Sequence, residues 1–173
     1  IKVLKPDLSA STELSSRFKA KLPGTVDELK SLPGFGRYTA GAVASIAFDQ
    51  EAPLVDGNVA RALSRLFELD GAPGDKTREA ALWSLAELLV QGERPGDFNQ
   101  SLMELGATVC TPSSPTCLLC PVQTHCRALA AGRVDELPPP RKLPPRKRLE
   151  LAVALSHRDG NVLLARRAEK GLF

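Results

Sequence analysis

LPGFGRYTAGAVASIAFDQEAPLVDGNVARALSRL, residues 32–66, decides how this chain folds, because it holds two helical patterns joined by an irregular segment. Each pattern opens on residues suited to meeting a negatively charged group. In Leu32-Pro33-Gly34-Phe35-Gly36 the two glycines permit positive φ and remove side chains that would block a close approach. After them, Ala40, Val43, Ala44 and Ala47 fall at i, i+3, i+4 and i+7, the spacing of one narrow apolar helix face. A glycine turn feeding a helix N-terminus gathers unpaired N–H groups at the positive end of the helix dipole, which suits a phosphate. The same pentapeptide also serves as plain chain reversal between two helices, and the residues alone leave both readings open.

The second half runs Pro53-Leu54-Val55-Asp56-Gly57-Asn58 into Val59, Ala62, Leu63 and Leu66 at helical spacing, with Arg61 and Arg65 on other faces. Asp56 or Asn58 can act as the N-cap, a side-chain oxygen accepting an orphan backbone N–H. The alternative is a carboxylate at a helix mouth facing a pocket. Spacing does not choose between them.

Outward from this stretch the chain stays helical. Upstream, residues 1–24 show poor periodicity and form an ill-defined segment, whereas Thr25 with Glu28 makes a capping box for a short helix bearing Leu29 and Leu32. Downstream, Gly71-Ala72-Pro73-Gly74 breaks the chain and Asp75 caps a helix carrying Leu82, Leu85 and Leu89, its apolar face widened by Trp83 and Leu88. Gly92 is a suitable end for that helix. Pro95-Gly96 reads as a further break, after which Asp97 and Gln100 start a helix bearing Leu102, Leu105 and Val109. Residues 25–109 thus form one helical domain of short elements and tight turns.

The four cysteines follow at once, Cys110, Cys117, Cys120 and Cys126, spaced C-x6-C-x2-C-x5-C over residues 110–132. A full helical core upstream speaks against a disulfide scaffold. Structural zinc favours two C-x2-C knuckles, and only the middle pair is so spaced. An iron–sulfur cluster takes four thiolates from irregular loops, and Pro112, Pro115 and Pro121 suit such a loop. Spacing alone leaves zinc and iron–sulfur open. His125 reads as a solvated loop residue.

Residues 133–148 are rich in proline and end in Lys147-Arg148, the composition of a stiff, non-packing linker. Leu149, Leu151, Val153 and Leu155 then alternate, His157-Arg158-Asp159-Gly160-Asn161 offers a turn, and Val162 to Ala165 follows, which predicts a β-hairpin opening a second domain over residues 149–173. The sequence begins with Ile1 and stops at Phe173 inside a patterned segment, so it reads as a piece of a longer chain.

With 173 residues, 43% hydrophobic and 25% charged, the composition is that of a globular protein. A net charge of +3 permits nucleic-acid binding without demanding it. No run of eighteen apolar residues and no signal-peptide core is present, so no membrane partner and an intracellular place, in cytoplasm or nucleoid, are expected.

Taken together, LPGFGRYTAG, PLVDGNVARAL, FNQSLMELGATVC and the four-cysteine array resemble the helix-hairpin-helix DNA glycosylases that carry an iron–sulfur cluster, most closely their adenine-removing branch. The resemblance covers about residues 22–132, and the hairpin after the linker is similar to the start of that branch's Nudix-like domain. It implies a mainly α fold in which Leu32, Pro33, Gly34, Phe35, Gly36 and Arg37 hold a DNA phosphate. It implies further that Asp56 is the catalytic carboxylate and that Cys110, Cys117, Cys120 and Cys126 hold a [4Fe-4S] cluster. The partner would be double-stranded DNA with an adenine opposite 8-oxoguanine or guanine, met by a monomer.

Such an enzyme extrudes the nucleotide from the duplex, and cleavage of its N-glycosidic bond builds positive charge on the sugar. Asp56 would stabilise that charge, and Asn58 would help to orient Asp56 or the water. The acid that protonates the departing base is, in the family, a glutamate upstream of every matching motif. Residues 1–21 do not resemble that region and Glu13 lies in no motif, so the chain as given is expected to be weakly active or inactive. Tyr38 stands where the related lyases carry a lysine. Tyrosine cannot form a Schiff base, which implies a monofunctional enzyme. The alternatives are a pyrimidine glycosylase and lyase of the endonuclease III type, or a DNA-binding iron–sulfur module without catalysis.

Overall fold

The computed structural model of the chain describes residues 16–19, 21–140, 157–158 and 161–162. Backbone contacts divide the chain into two units, residues 1–142 and 143–173. The first unit is helical throughout its described residues: α1 (Val26–Lys30), α2 (Arg37–Phe48), α3 (Gly57–Leu66), α4 (Lys76–Leu89), α5 (Pro95–Glu104) and α6 (Arg127–Ala130). Single 3-10 turns at Cys117–Leu119 and Gln123–His125 shape the cysteine loop.

Local chemistry accounts for most of these boundaries. Thr25 caps α1 by accepting the Glu28 N–H, and its hydroxyl donates to the Glu28 carboxylate at 2.7 Å, so the capping-box residues do engage each other. Asp75 caps α4 in the same way, accepting the Arg78 N–H at 2.9 Å. Between α1 and α2 the chain reverses over Leu32–Gly36, where the Phe35 N–H donates to the Leu32 carbonyl and Gly34 takes φ +85°. Only a residue without Cβ adopts that angle at little cost.

Two buried clusters hold the helices together. Leu29 of α1 packs on Ala40 and Ala44 of α2 with Ala52 beyond, and Leu54, Val59, Ala62 and Leu63 meet Leu82, Ala86 and Leu102 from α4 and α5. Each fully buried leucine contributes about 1.5–3 kcal/mol. The small residues of α2 let the chain that follows it return close by. A Cβ on Gly41 would lie 2.1 Å from the Pro53 carbonyl oxygen, so glycine is what lets residues 53–56 run against α2. Buried Asn99 of α5 then ties the joint down, donating to Ser45 Oγ at 2.8 Å and to the Ala52 carbonyl at 2.9 Å.

Several sequence expectations are corrected here. Pro95-Gly96 is no break but the first turn of α5, since proline fits the N1 position, where its missing N–H is not needed. Asp97 is therefore inside the helix and pairs with Arg94 instead of capping. The pattern Leu102, Leu105, Val109 is not one α-helix, because residues Leu105–Val109 widen into a π-helical turn. Ala47 and Leu88 face solvent, each set near the end of its helix and turned away from the packed side.

Residues 133–137, read as part of a non-packing linker, belong to the first unit and pack against the rest of it. Leu137 is buried, and Arg133 pairs with Glu68 and Asp70, which with Glu136 hold its guanidinium well above the usual range. In the second unit His157–Arg158 pairs antiparallel with Asn161–Val162, so three residues assigned to the turn belong to the ladder and the hairpin is tighter than expected. The remaining residues of that hairpin, 149–156, 159–160 and 163–165, lie outside the described residues.

Candidate functional site

Two centres meet on α3, one at its first turn and one along its flank. Asp56 is the N-cap, its Oδ1 accepting the Val59 N–H at 2.7 Å, so the capping reading of this residue is realised. It also opens on a pocket, and the two roles are compatible because one carboxylate oxygen suffices for the cap. The pocket, of about 210 Å³ and open to solvent, brings Asp56 together with Arg78, Glu79 and Trp83. Trp83 was read from the sequence only as part of an apolar face. Its ring carries the Arg37 guanidinium, 3.8 Å from the centroid, so the start of α2 and the Asp56 pocket share one aromatic side chain.

The hairpin presents backbone more than side chains. Leu32 is buried, Pro33 and Phe35 are half-buried, and Arg37 is engaged with Trp83. The Phe35 N–H closes the turn, whereas no acceptor among the described residues meets the N–H groups of Gly34 or Gly36, and α2 lacks a side-chain cap. Gly36 has φ −78° and a Cβ there would meet nothing within 4 Å. Among the described residues nothing demands glycine at that position.

Tyr38 is exposed at 41%, and its hydroxyl donates to Met103 Sδ at 3.9 Å. Asn58 does not hydrogen-bond Asp56 among the described residues. Its Oδ1 accepts from Arg61 Nη2 at 2.9 Å, and the π-helical turn brings Gly106 so close that a Cβ there would lie 2.7 Å from the Asn58 carbonyl oxygen.

Arg61 and Arg65, one helical turn apart, are what the sequence reading missed. Arg61 donates from Nε to the Cys110 carbonyl at 2.7 Å and from Nη2 to the Gly106 carbonyl at 2.6 Å. Arg65, only 3% exposed, donates to the carbonyls of Leu137, Thr111 and Pro112 and, at 3.4 Å, to Cys110 Sγ. The two guanidiniums thus bind α3 to the cysteine loop. Their i, i+4 spacing was visible, but nothing local said that this polar face would be covered.

Cys110, Cys117, Cys120 and Cys126 are free thiols, and all four line one tight pocket of about 20 Å³ whose other walls include Leu66, Leu105, Val122 and Leu129 with Arg65. Burial pushes the Cys117 thiol up, its three cysteine neighbours push further, and Arg65 opposes them. No group of three or more His, Cys, Asp or Glu among the described residues is gathered as ligands for a single ion. Among the described residues no carboxylate pairs with Arg65. A buried cation facing four ionisable thiols and no carboxylate suits an occupant that keeps those thiols ionised. His125 is exposed and lies outside this pocket.

Comparison with known proteins agrees with the geometry. Residues 17–46 match the family model described as helix-hairpin-helix motif. Two solved structures share the fold: a thermostable thymine-DNA glycosylase, with TM-score 0.62 and 31% identity over 71% of this chain and 56% of that one, and a non-covalent endonuclease III–DNA complex, with TM-score 0.55 and 29% identity over 70% and 55%. The helical unit therefore has the fold of the helix-hairpin-helix DNA glycosylases.

Within that class the sequence is homologous to adenine DNA glycosylases. It is 54% identical to the rat protein over 121 residues, which are 68% of this chain and 23% of that protein, and 52% identical to the human one over 117 residues, 67% and 21%. The relative from Mycolicibacterium smegmatis is 42% identical over 69% of this chain and 40% of its own length. The chain thus spans about a quarter of the length of the mammalian relatives it matches. No helix among the described residues is long and apolar enough to cross a membrane.

Proposed function

We propose that this chain is the helix-hairpin-helix part of a DNA glycosylase that hydrolyses the bond between adenine and deoxyribose in a duplex where the adenine faces 8-oxoguanine or guanine. The observation that carries this reading is Asp56, a half-exposed carboxylate fixed at the mouth of α3 by its own cap bond and opening on a pocket linked by Trp83 to the start of α2. The hairpin N–H groups of Gly34 and Gly36 take a backbone phosphate. The extruded sugar then meets Asp56, whose negative charge stabilises the oxocarbenium-like transition state while water attacks. This work is done on DNA, hence inside the cell.

The bare position beside Gly36 supports the phosphate role, since a close external group is what would require it. Gly36→Ala is expected to leave stability within about 1 kcal/mol and to weaken duplex binding roughly tenfold, the added methyl displacing the phosphate from converging N–H groups. Fluorescence anisotropy on a labelled duplex reads this directly. Equal affinity of the two chains would remove the hairpin from the interface.

Four free thiols that line one pocket beside a buried arginine form a donor set that would hold a [4Fe-4S] cluster. A bound cluster would supply four fixed thiolates that staple the loop and balance Arg65. It has no assigned part in the hydrolysis.

The test is a single-turnover assay on an adenine:8-oxoguanine duplex with iron measured on the same sample. Adenine release that yields an uncut abasic site is expected of the complete protein, and only weak release or none of this chain, whose residues 1–21 do not resemble the acid-bearing region. A lyase of the endonuclease III kind is the second reading, supported by the similarity to those solved structures. It would form a borohydride-trappable adduct. Tyr38 supplies no amine, so no covalent adduct is expected, and recovery of one would reverse this assignment.

A further inference from the structure

Beside the Asp56 pocket lies a second one, of about 320 Å³, between the first half of α3, Pro73, Pro112 and residues 137–140, and three arginines line it: Arg61, Arg65 and Arg78. Asp135 is the one carboxylate in the lining, and it is exposed and pairs with none of the three among the described residues. Arg65 is committed to carbonyls and Cys110, as described. Arg78 is not. It is only 5% exposed, its Nη2 donates to Ser64 Oγ at 2.8 Å and to the Ala60 carbonyl at 3.4 Å, and its Nε is buried with no acceptor. Arg61 likewise keeps Nη1 without an acceptor among the described residues.

An orphaned N–H on a buried cation is costly, so native chains seldom keep one unless a ligand completes it. Arginine forks suit the tetrahedral oxygens of phosphate, which accept from two N–H groups at once. Gly57, at the positive end of the ten-residue helix α3, lines the same pocket and adds a favourable field for an anion. Because Arg78 and Ala60 border both pockets, whatever is bound here sits next to Asp56.

We infer that the pocket lined by Gly57, Arg61 and Arg78 is a phosphate site, separate from the hairpin. Its source follows from the glycosylase reading, on which this step rests: the occupant is a backbone phosphate of the strand whose sugar reaches Asp56. The site has the chemistry to take free phosphate as well. The protein therefore holds the damaged strand at two points on either side of the carboxylate, not at one.

The side-chain Nε–H resonance of Arg78, assigned by comparison with Arg78→Gln, reports on the site in the intact 173-residue chain. Titrations with inorganic phosphate and with an abasic-site duplex are each expected to shift it, chloride at equal ionic strength leaving it in place. Arg78→Gln, which removes both the charge and the fork, is expected to reduce the slope of log affinity against log salt for the duplex by about one. Duplex binding by anisotropy with an unmoved Arg78 signal overturns the site. A phosphate shift reproduced by chloride marks an adventitious ion only and overturns it too. Absence of duplex binding would defeat the glycosylase reading instead, while the phosphate titration still decides the pocket.

Discussion

In the complete protein Asp56→Asn is expected to lower adenine release by about 10²–10³-fold, the scale on which removal of one transition-state electrostatic contact acts, while the denaturant midpoint stays where it was. The two halves of this result have separate causes. Asparagine is as good an N-cap as aspartate, so its oxygen keeps the Val59 N–H and the start of α3 is unchanged. What it loses is the charge facing the sugar, and a neutral amide cannot balance a developing oxocarbenium ion. Asp56→Ala provides the contrast, since it should lose the same activity and also about 1 kcal/mol of stability with the cap. Single-turnover rates and urea unfolding on the three proteins decide the matter. An Asp56→Asn chain as active as its parent would leave Asp56 as a cap and nothing more.

Arg65→Leu should be the most destabilising single change in the helical unit, at about 3–5 kcal/mol, the range for breaking a buried charged network from one side. Leucine fills part of the volume but leaves the carbonyls of Thr111, Pro112 and Leu137 without their donor and the four cysteines without their cation. Arg65→Lys repairs the charge only, because one ammonium cannot reach carbonyls on both the cysteine loop and residue 137. Urea midpoints are expected in the order arginine, lysine, leucine, with iron lost to a chelator fastest from the leucine variant. If all three unfold together, Arg65 does not clamp the loop.

How far the sequence could be read depended on the range of the forces at each residue. Caps and turns are short-range, so Thr25, Asp75 and the Leu32–Gly36 reversal were visible in their own neighbourhoods. Pro95 was misjudged because proline breaks a helix interior but opens a helix equally well, and only the packing of α5 on α2 through Asn99 says which applies. The polar face of α3 misled for a related reason. Arg61 and Arg65 look solvated until a loop 45 or more residues downstream folds over them and offers carbonyls in place of water. The proline-rich stretch after Arg133 looked like a spacer for want of local pattern, yet Leu137 is buried and its carbonyl meets Arg65.

The amino-acid sequence by itself determined the helical class, the glycine turn, the capping carboxylate and the set of four cysteines, because each is written within a few consecutive residues and backbone sterics or spacing suffices to express it. The tertiary structure alone decided that Asp56 opens on a pocket beside Trp83, that two arginines of α3 are covered by the cysteine loop, and that Arg78, in the wall of a second pocket, keeps a buried Nε without an acceptor among the described residues. Those features depend on desolvation, and a side chain loses its water only when distant parts of the chain close over it.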